Sequence, residues 1–194
     1  VSLSLHSCNF GLHDLQMLAA AFSQRQRRNP TSMQVLCMSG SNITHESVPM
    51  IIDICCHCPR LQQLDLGYSS IGTRGLRILS TGLLANPECK LRHLSLAGIG
   101  GVDDNMAQLL ANSLVKNRRL KRLGLDDDKT SSGGWKYFLG ILRSTSDINA
   151  TSSSNHTLEG LWYLFQMAKD LPTDLVHCLQ LNEAKDKRSV ARKK

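Results

Sequence analysis

Leu61-Gln62-Gln63-Leu64-Asp65-Leu66 carries the pattern that decides the fold: an apolar side chain, two variable ones, an apolar one, one variable, and an apolar one. The frame recurs as MQVLCM (33–38), LRHLSL (91–96) and LKRLGL (120–125), at a spacing of 28 to 30 residues. All twelve framed positions are apolar and ten are leucine. A half-copy, LSL at 3–5, opens the chain, and a weaker copy, LEGLWY at 158–163, follows a longer gap. The last residues of each frame alternate with a period of two. In an extended strand this sends the framed side chains to one face and those between them to the other.

Between frames the apolar spacing changes to that of a helix. Val48, Ile51, Ile52 and Cys55 form one such stripe; Leu76, Leu79 and Leu83 the next. Met106, Leu109, Leu110 and Leu114 follow, then Trp135, Phe138, Leu139 and Leu142. Thr44, Thr73, Asp103 and Ser132 stand just ahead of these runs, where a side-chain oxygen can cap free helix N–H groups. Each unit therefore reads as strand, loop, helix.

This frame resembles the leucine-rich repeat, whose signature continues with Asn or Cys three residues after the last leucine and an apolar residue two further on. Cys8 with Phe10 fits, and Ser41 with Ile43 and Ser69 with Ile71 place a small hydroxyl where the family has Asn. Later units depart from the signature, with Ile99 and Asp128 at that position and longer loops after Leu96 and Leu125. The period and the full helix are similar to the ribonuclease-inhibitor-like subclass, which includes NOD-like receptors and the Ran GTPase-activating protein. The stretch from 133 to 194 resembles the C-terminal end of algal leucine-rich-repeat proteins.

The resemblance implies an α/β leucine-rich-repeat solenoid, a horseshoe with a parallel concave sheet and convex helices. Residues 1–165 would form about six repeats, the first incomplete. Residues 166–194 would form a C-terminal cap with a basic tail, because the last repeat would otherwise expose apolar surface. Leu171, Leu175, Val176, Leu179 and Leu181 are the candidates for that lid. The Ser-rich stretch 144–154 reads as a surface loop before the last repeat.

Composition agrees with stacked layers: 41% of the 194 residues are hydrophobic, yet only 5% are aromatic, so leucine and its relatives must fill the core. The net charge of +7 is concentrated at one end. Residues 185–194 hold six of the 23 basic and one of the 16 acidic side chains, leaving 17 against 15 elsewhere. A nearly neutral body with a basic tail is no nucleic-acid-binding face in itself. Seven scattered cysteines, with no secretory signal and no apolar run long enough for a membrane span, predict a reduced setting inside the cell, cytoplasmic or nuclear.

Function is expected on the outward strand positions. One column runs Val35, Gln63, His93, Arg122; the next runs Ser4, Cys37, Asp65, Ser95, Gly124, Trp162; His6, Tyr68, Asp126 and Asp127 lie beyond. Partner-binding candidates are Gln63, Asp65, Tyr68, His93, Ser95, Arg122, Asp126, Asp127 and Trp162. Interfaces draw most of their energy from a few aromatic and arginine anchors, which favours Tyr68, Arg122 and Trp162, with His93 beside them. Trp162 has a second reading, as packing under the cap.

Other signals point to structure more than to chemistry. Cys55-Cys56-His57-Cys58 contains a C-x-x-C pair, but no second ligand pair is suitably spaced, so it reads as a helix end and no metal is expected. In Gly98-Ile99-Gly100-Gly101-Val102-Asp103 the third glycine of a dinucleotide fingerprint is missing, and Asp103 would repel a pyrophosphate. Asp126-Asp127-Asp128 lacks the ligand spacing of a calcium loop and reads as an acidic edge. Asn42, Asn149 and Asn155 open N-x-T sequons, which matter only in a secreted protein.

No phosphate-binding loop, zinc-protease or nucleophile-elbow motif is present, so neither a cofactor nor catalysis is expected. The leading expectation is a scaffold that binds an as yet unidentified protein partner. Two alternatives stay open: a GTPase regulator of the Ran GTPase-activating type, with Asn42, Arg74 and Asn105 at repeat edges, and binding of nucleic acid or an anionic membrane surface through the tail.

Overall fold

A computed structural model of the chain describes residues 1–26, 32–100, 102–125, 129–143, 154–163, 166–167 and 171–184. The acidic run 126–128, most of the loop 144–154 and the basic tail 185–194 lie outside the described residues, as do Gly101 and the Asn149 sequon.

Seven strands form one sheet in chain order: β1 (Ser2–Ser4), β2 (Val35–Cys37), β3 (Gln63–Asp65), β4 (His93–Ser95), β5 (Arg122–Gly124), β6 (Gly160–Tyr163) and β7 (Gln166–Met167). β1 to β6 are parallel, and β7 turns back antiparallel to β6. Among the described residues the helices are α1 (Leu12–Gln26), α2 (Val48–His57), α3 (Gly72–Leu79), α4 (Asp104–Leu114), α5 (Ser132–Leu142) and α6 (Thr173–Glu183). A 3₁₀ turn, His45–Ser47, leads into α2, and a π-helical segment, Ser80–Leu84, prolongs α3. This α/β arrangement is compatible with a leucine-rich-repeat-like solenoid.

The leucine frame sets the register. Leu3, Leu36, Leu64, Leu94, Leu123 and Leu161 are successive partners across the sheet. All twelve framed side chains are buried, none more than 5% exposed, in one cluster with the helix stripes. Each fully buried leucine contributes roughly 1.5–3 kcal/mol relative to an exposed one.

The main chain repeats as strictly as the leucines. The carbonyl one residue ahead of each of β2 to β5 accepts two N–H groups from the next unit. Gln34 O takes Gln62 and Gln63, Gln62 O takes Arg92 and His93, Arg92 O takes Lys121 and Arg122, and Lys121 O takes Glu159 and Gly160.

At the far end of the strands, the residue two beyond the last framed one is left-handed in each of the first four units: Ser7 (φ 52°), Gly40 (70°), Tyr68 (54°) and Gly98 (71°). The bend keeps the ladder going, since Ser7, Gly40 and Tyr68 each donate their N–H to the following unit. The hydroxyls at the family's Asn position also work on the backbone, with Ser41 Oγ donating to Leu5 O at 2.9 Å and Ser69 Oγ to Leu66 O at 2.6 Å.

Helix starts differ from expectation in three of four cases. Asp103 caps α4, accepting Met106 N–H at 2.8 Å. Thr44 makes no side-chain cap bond because the 3₁₀ turn intervenes, and Thr73 falls inside α3, which begins one residue earlier. At α5 the cap is Ser131 rather than Ser132; its Oγ accepts Gly133 N–H at 3.0 Å. The hydroxyl of Ser131 in turn donates to Asp104 Oδ2 at 2.6 Å, tying one helix to the next.

Returns from helix to strand use buried asparagines that the leucine pattern did not flag. Asn117 and Asn155 each stand three residues ahead of a framed leucine and accept its N–H, from Leu120 at 2.9 Å and from Leu158 at 3.0 Å. Their amides reach back one unit: Asn117 Nδ2 donates to Leu84 O, and Asn155 Nδ2 to Leu114 O and Asn117 O. Asn182 on α6 continues the series, donating to Asn155 O and Leu158 O.

α6 packs on α5 with Leu175, Cys178, Leu179 and Asn182 buried, while Val176 and Leu181 are only half-buried. The helix faces inward on a stripe shifted from the expected one, because the Asn182 amide sets its rotation. Asn155, only 1% exposed, is therefore no accessible glycosylation acceptor in the folded protein, whereas Asn42 is exposed.

Asn155→Ala orphans carbonyls and N–H groups on three segments at once. It should lower the unfolding free energy in urea by about 2–4 kcal/mol, well above the ~1 kcal/mol of an average substitution.

Candidate functional site

Alternation along the short strands puts the variable residues on the sheet face opposite the helices. There they line one depression of about 650 Å³. Of the nine side chains that the sequence nominates, Gln63, Asp65, Tyr68, His93, Ser95, Arg122 and Trp162 all border it. Asp126 and Asp127 lie outside the described residues. Asn42, Arg74 and Asn105 are exposed in the strand-to-helix connections and first helical turns, and none of them lines the depression.

Trp162 is half-buried on this face, and the Arg122 guanidinium lies over its ring, 5.5 Å from the centroid. A glycine makes the room. Gly124 is the register partner of Trp162, and Gly160 the partner of Arg122. A Cβ on Gly160 would overlap Trp162 Nε1, so the indole rests directly on the Gly160 backbone.

Tyr68 is seated in a similar way. It is 56% exposed, and its ring covers Gly98 in the next unit, where a Cβ would overlap the ring carbon Cδ1. A left-handed backbone costs an L-residue roughly 1–2 kcal/mol, and the equivalent position is glycine in two other units. Tyrosine there is a backbone liability offset by whatever the ring does at the rim.

His93 lies between Gln63 and Arg122 in the first row of the sheet. Desolvation, and then the Arg122 charge, lower its pKa below the usual 6.5; Lys121 and Arg92 add to the effect and Glu159 opposes it. Lys121 and Glu159 form an ion pair at 2.7 Å.

At the other end of the face, Cys37 Sγ stands 3.1 Å from His6 Nε2 and donates to Asp65 Oδ2 at 3.3 Å. The repeat frame sets Cys37 beside Asp65 in one column, and the register bears this out; the contact with His6 is added by the structure. The set superficially resembles a thiol nucleophile with its base, but burial and then the Asp65 carboxylate push the thiol up to about 11. It is held as a thiol at neutral pH and is not activated.

A second, smaller pocket is lined by Cys55, Cys56 and Cys89, whose thiols are also pushed up by burial. Among the described residues no three His, Cys, Asp or Glu side chains are arranged to hold a metal ion. Gly98 and Gly100, both at positive φ, form the wide turn ahead of α4, and the nearby Asp103 is occupied as its cap. Among the described residues no helix is long and apolar enough to cross a membrane.

No protein-family model matches the chain. It is similar to the mouse protein "NACHT, LRR and PYD domains-containing protein 5", 28% identical over 141 residues. The match covers 73% of this chain but spans only 12% of that relative's length.

Two outcomes follow from the titrating groups. Alkylation of Cys37 by iodoacetamide, followed by mass spectrometry, should accelerate only as pH approaches about 11. Asp65→Asn should move that profile to lower pH. For His93, a folded pKa below 6.5 means that the unfolded chain binds the proton more readily, so stability is lost as pH falls below 6.5. His93→Gln should remove part of that acid-induced loss in urea titrations at successive pH values.

Proposed function

We propose that the chain is a protein-interaction module that holds a macromolecular partner on the open face of its sheet. The observation that carries this reading is the convergence of seven chemically varied side chains, from β3 to β6 and the turn after β3, on one depression. Solenoids offer such surfaces rather than water-excluding pockets. The likeness to a mouse protein named for its LRR supports the repeat class.

On this reading the sheet is the concave wall of a horseshoe of the ribonuclease-inhibitor-like subclass, similar to algal leucine-rich-repeat proteins. Residues 1–165 are about six repeats, and residues 166–194 a cap with a basic tail. The packing of Leu175 and Leu179 into the core supports the cap. Seven cysteines, none in a disulfide, support a reducing intracellular setting. The protonated Cys37 thiol supports a binding role over a catalytic one.

Pull-down from native lysate with the intact chain and an Arg122→Glu/Tyr68→Gly variant, both confirmed as folded, tests this. The variant should retain the partner at least ~10-fold less well, as expected when interface anchors are lost. Equal retention would move binding off the sheet face. Tyr68→Gly alone should separate fold from function: stability in urea is held or raised by up to ~1 kcal/mol, because glycine occupies a left-handed position freely, while retention falls.

A further inference from the structure

The first row of β3, β4 and β5 presents Gln63, His93 and Arg122 side by side. Arginine offers five N–H donors and no acceptor. With one face of its guanidinium on Trp162, Arg122 keeps its in-plane donors for an incoming group. Among the described residues no carboxylate pairs with it, whereas the adjacent Lys121 is already paired with Glu159. Among the described residues, the charged groups acting on His93 are Arg92, Lys121 and Arg122 against Glu159.

The corner is also one that the fold maintains at a cost. Trp162 Nε1 is buried with no acceptor among the described residues, where the ring rests against the backbone of Gly160. Trp135 Nε1 in the core is likewise without an acceptor among the described residues; what sets Trp162 apart is that its ring lies beneath the Arg122 guanidinium.

We propose that the Arg122–Trp162 corner receives an aspartate or glutamate carboxylate from an acidic polypeptide segment. The assignment rests on the reading of the open face as a docking surface and names the chemistry of the partner. Asp65 selects polypeptide over nucleic acid. It borders the same depression two strands from Arg122, roughly 10 Å at ordinary strand spacing. A phosphate backbone carries charge at every step and would meet that carboxylate. A peptide can set one acidic side chain on Arg122 and turn its neighbours away from Asp65, because successive side chains of an extended segment point to opposite sides.

The test is heteronuclear NMR of the full chain, following its two indole N–H signals. Trp135 is buried beside Phe138 and serves as an internal control. Capped octaglutamate, octalysine, octaserine and octathymidylate are titrated in turn at physiological salt. Octaglutamate should shift the Trp162 signal saturably and leave Trp135 in place. Arg122→Gln should weaken that binding at least ~10-fold, and Gly160→Ala, which displaces the ring, should weaken it as well. Octaglutamate held only by the basic tail would leave the Trp162 signal still and be insensitive to Arg122, and that result overturns the proposal. An equal or larger Trp162 shift with octathymidylate overturns it in favour of nucleic acid. A shift with octalysine or octaserine, but not octaglutamate, overturns the acidic assignment while the sheet-face reading stands. Silence to all four overturns the assignment too, and the sheet-face reading then depends on the pull-down.

Discussion

Among the described residues no strand is long enough to hold its own place in the sheet: β1 to β5 contribute three residues each, β6 four and β7 two. What holds them is the stacking of one leucine per strand, Leu36 on Leu64 on Leu94 on Leu123 on Leu161, beneath a main-chain ladder that repeats without a slip. A shift of one residue would carry every framed leucine to the solvent face and every polar one into the core. Register is therefore specified by burial, and the composition of the open face follows from it. The outward residues are free to vary because the inward ones carry the fold.

The second constraint is polar. A chain that returns from helix to strand in each unit leaves backbone groups buried at the corner, and those groups must be paired. Asn117 and Asn155 pair them in two directions, forward to the next strand's N–H groups and back to the previous unit's carbonyls. Asn182 extends the arrangement onto α6, which explains why that helix buries Asn182 and Cys178 in place of Leu181 and Val176. The corners of the repeated units thus depend on directional bonds and the layers on shape. The two kinds of interaction pass stability between units that are adjacent in space but 28 or more residues apart in the chain.

Against this regular background several departures border the depression. Tyr68 occupies a left-handed position that glycine fills in two other units, and, among the described residues, Trp162 Nε1 has no acceptor and Arg122 no carboxylate partner, beside a histidine whose charged form is disfavoured. Each of these lowers stability or leaves polar capacity unused, and all of them border the same depression. Such costs are in keeping with a recognition surface on a regular scaffold, although Ser7 and Trp135 carry similar ones away from the depression.

The leucine frame by itself determined the strands, their inward and outward faces and the nomination of Gln63, Asp65, His93, Ser95, Arg122 and Trp162. Period-two alternation and a fixed repeat length leave only one registered way to bury leucine. Asp103 as a helix cap was legible for a similar reason, since capping is local. Ser131 in place of Ser132, and the loss of Thr44 and Thr73 as caps, turned on shifts of a residue or of one 3₁₀ turn that side-chain pattern does not encode. Tertiary structure alone decided that Trp162 lies on Gly160 beneath Arg122, that Tyr68 covers Gly98, and that Cys37 meets His6 and stays an inert thiol. These contacts join different units or depend on the absence of a Cβ across the strand. Their geometry is set by how successive layers stack, which no single repeat contains.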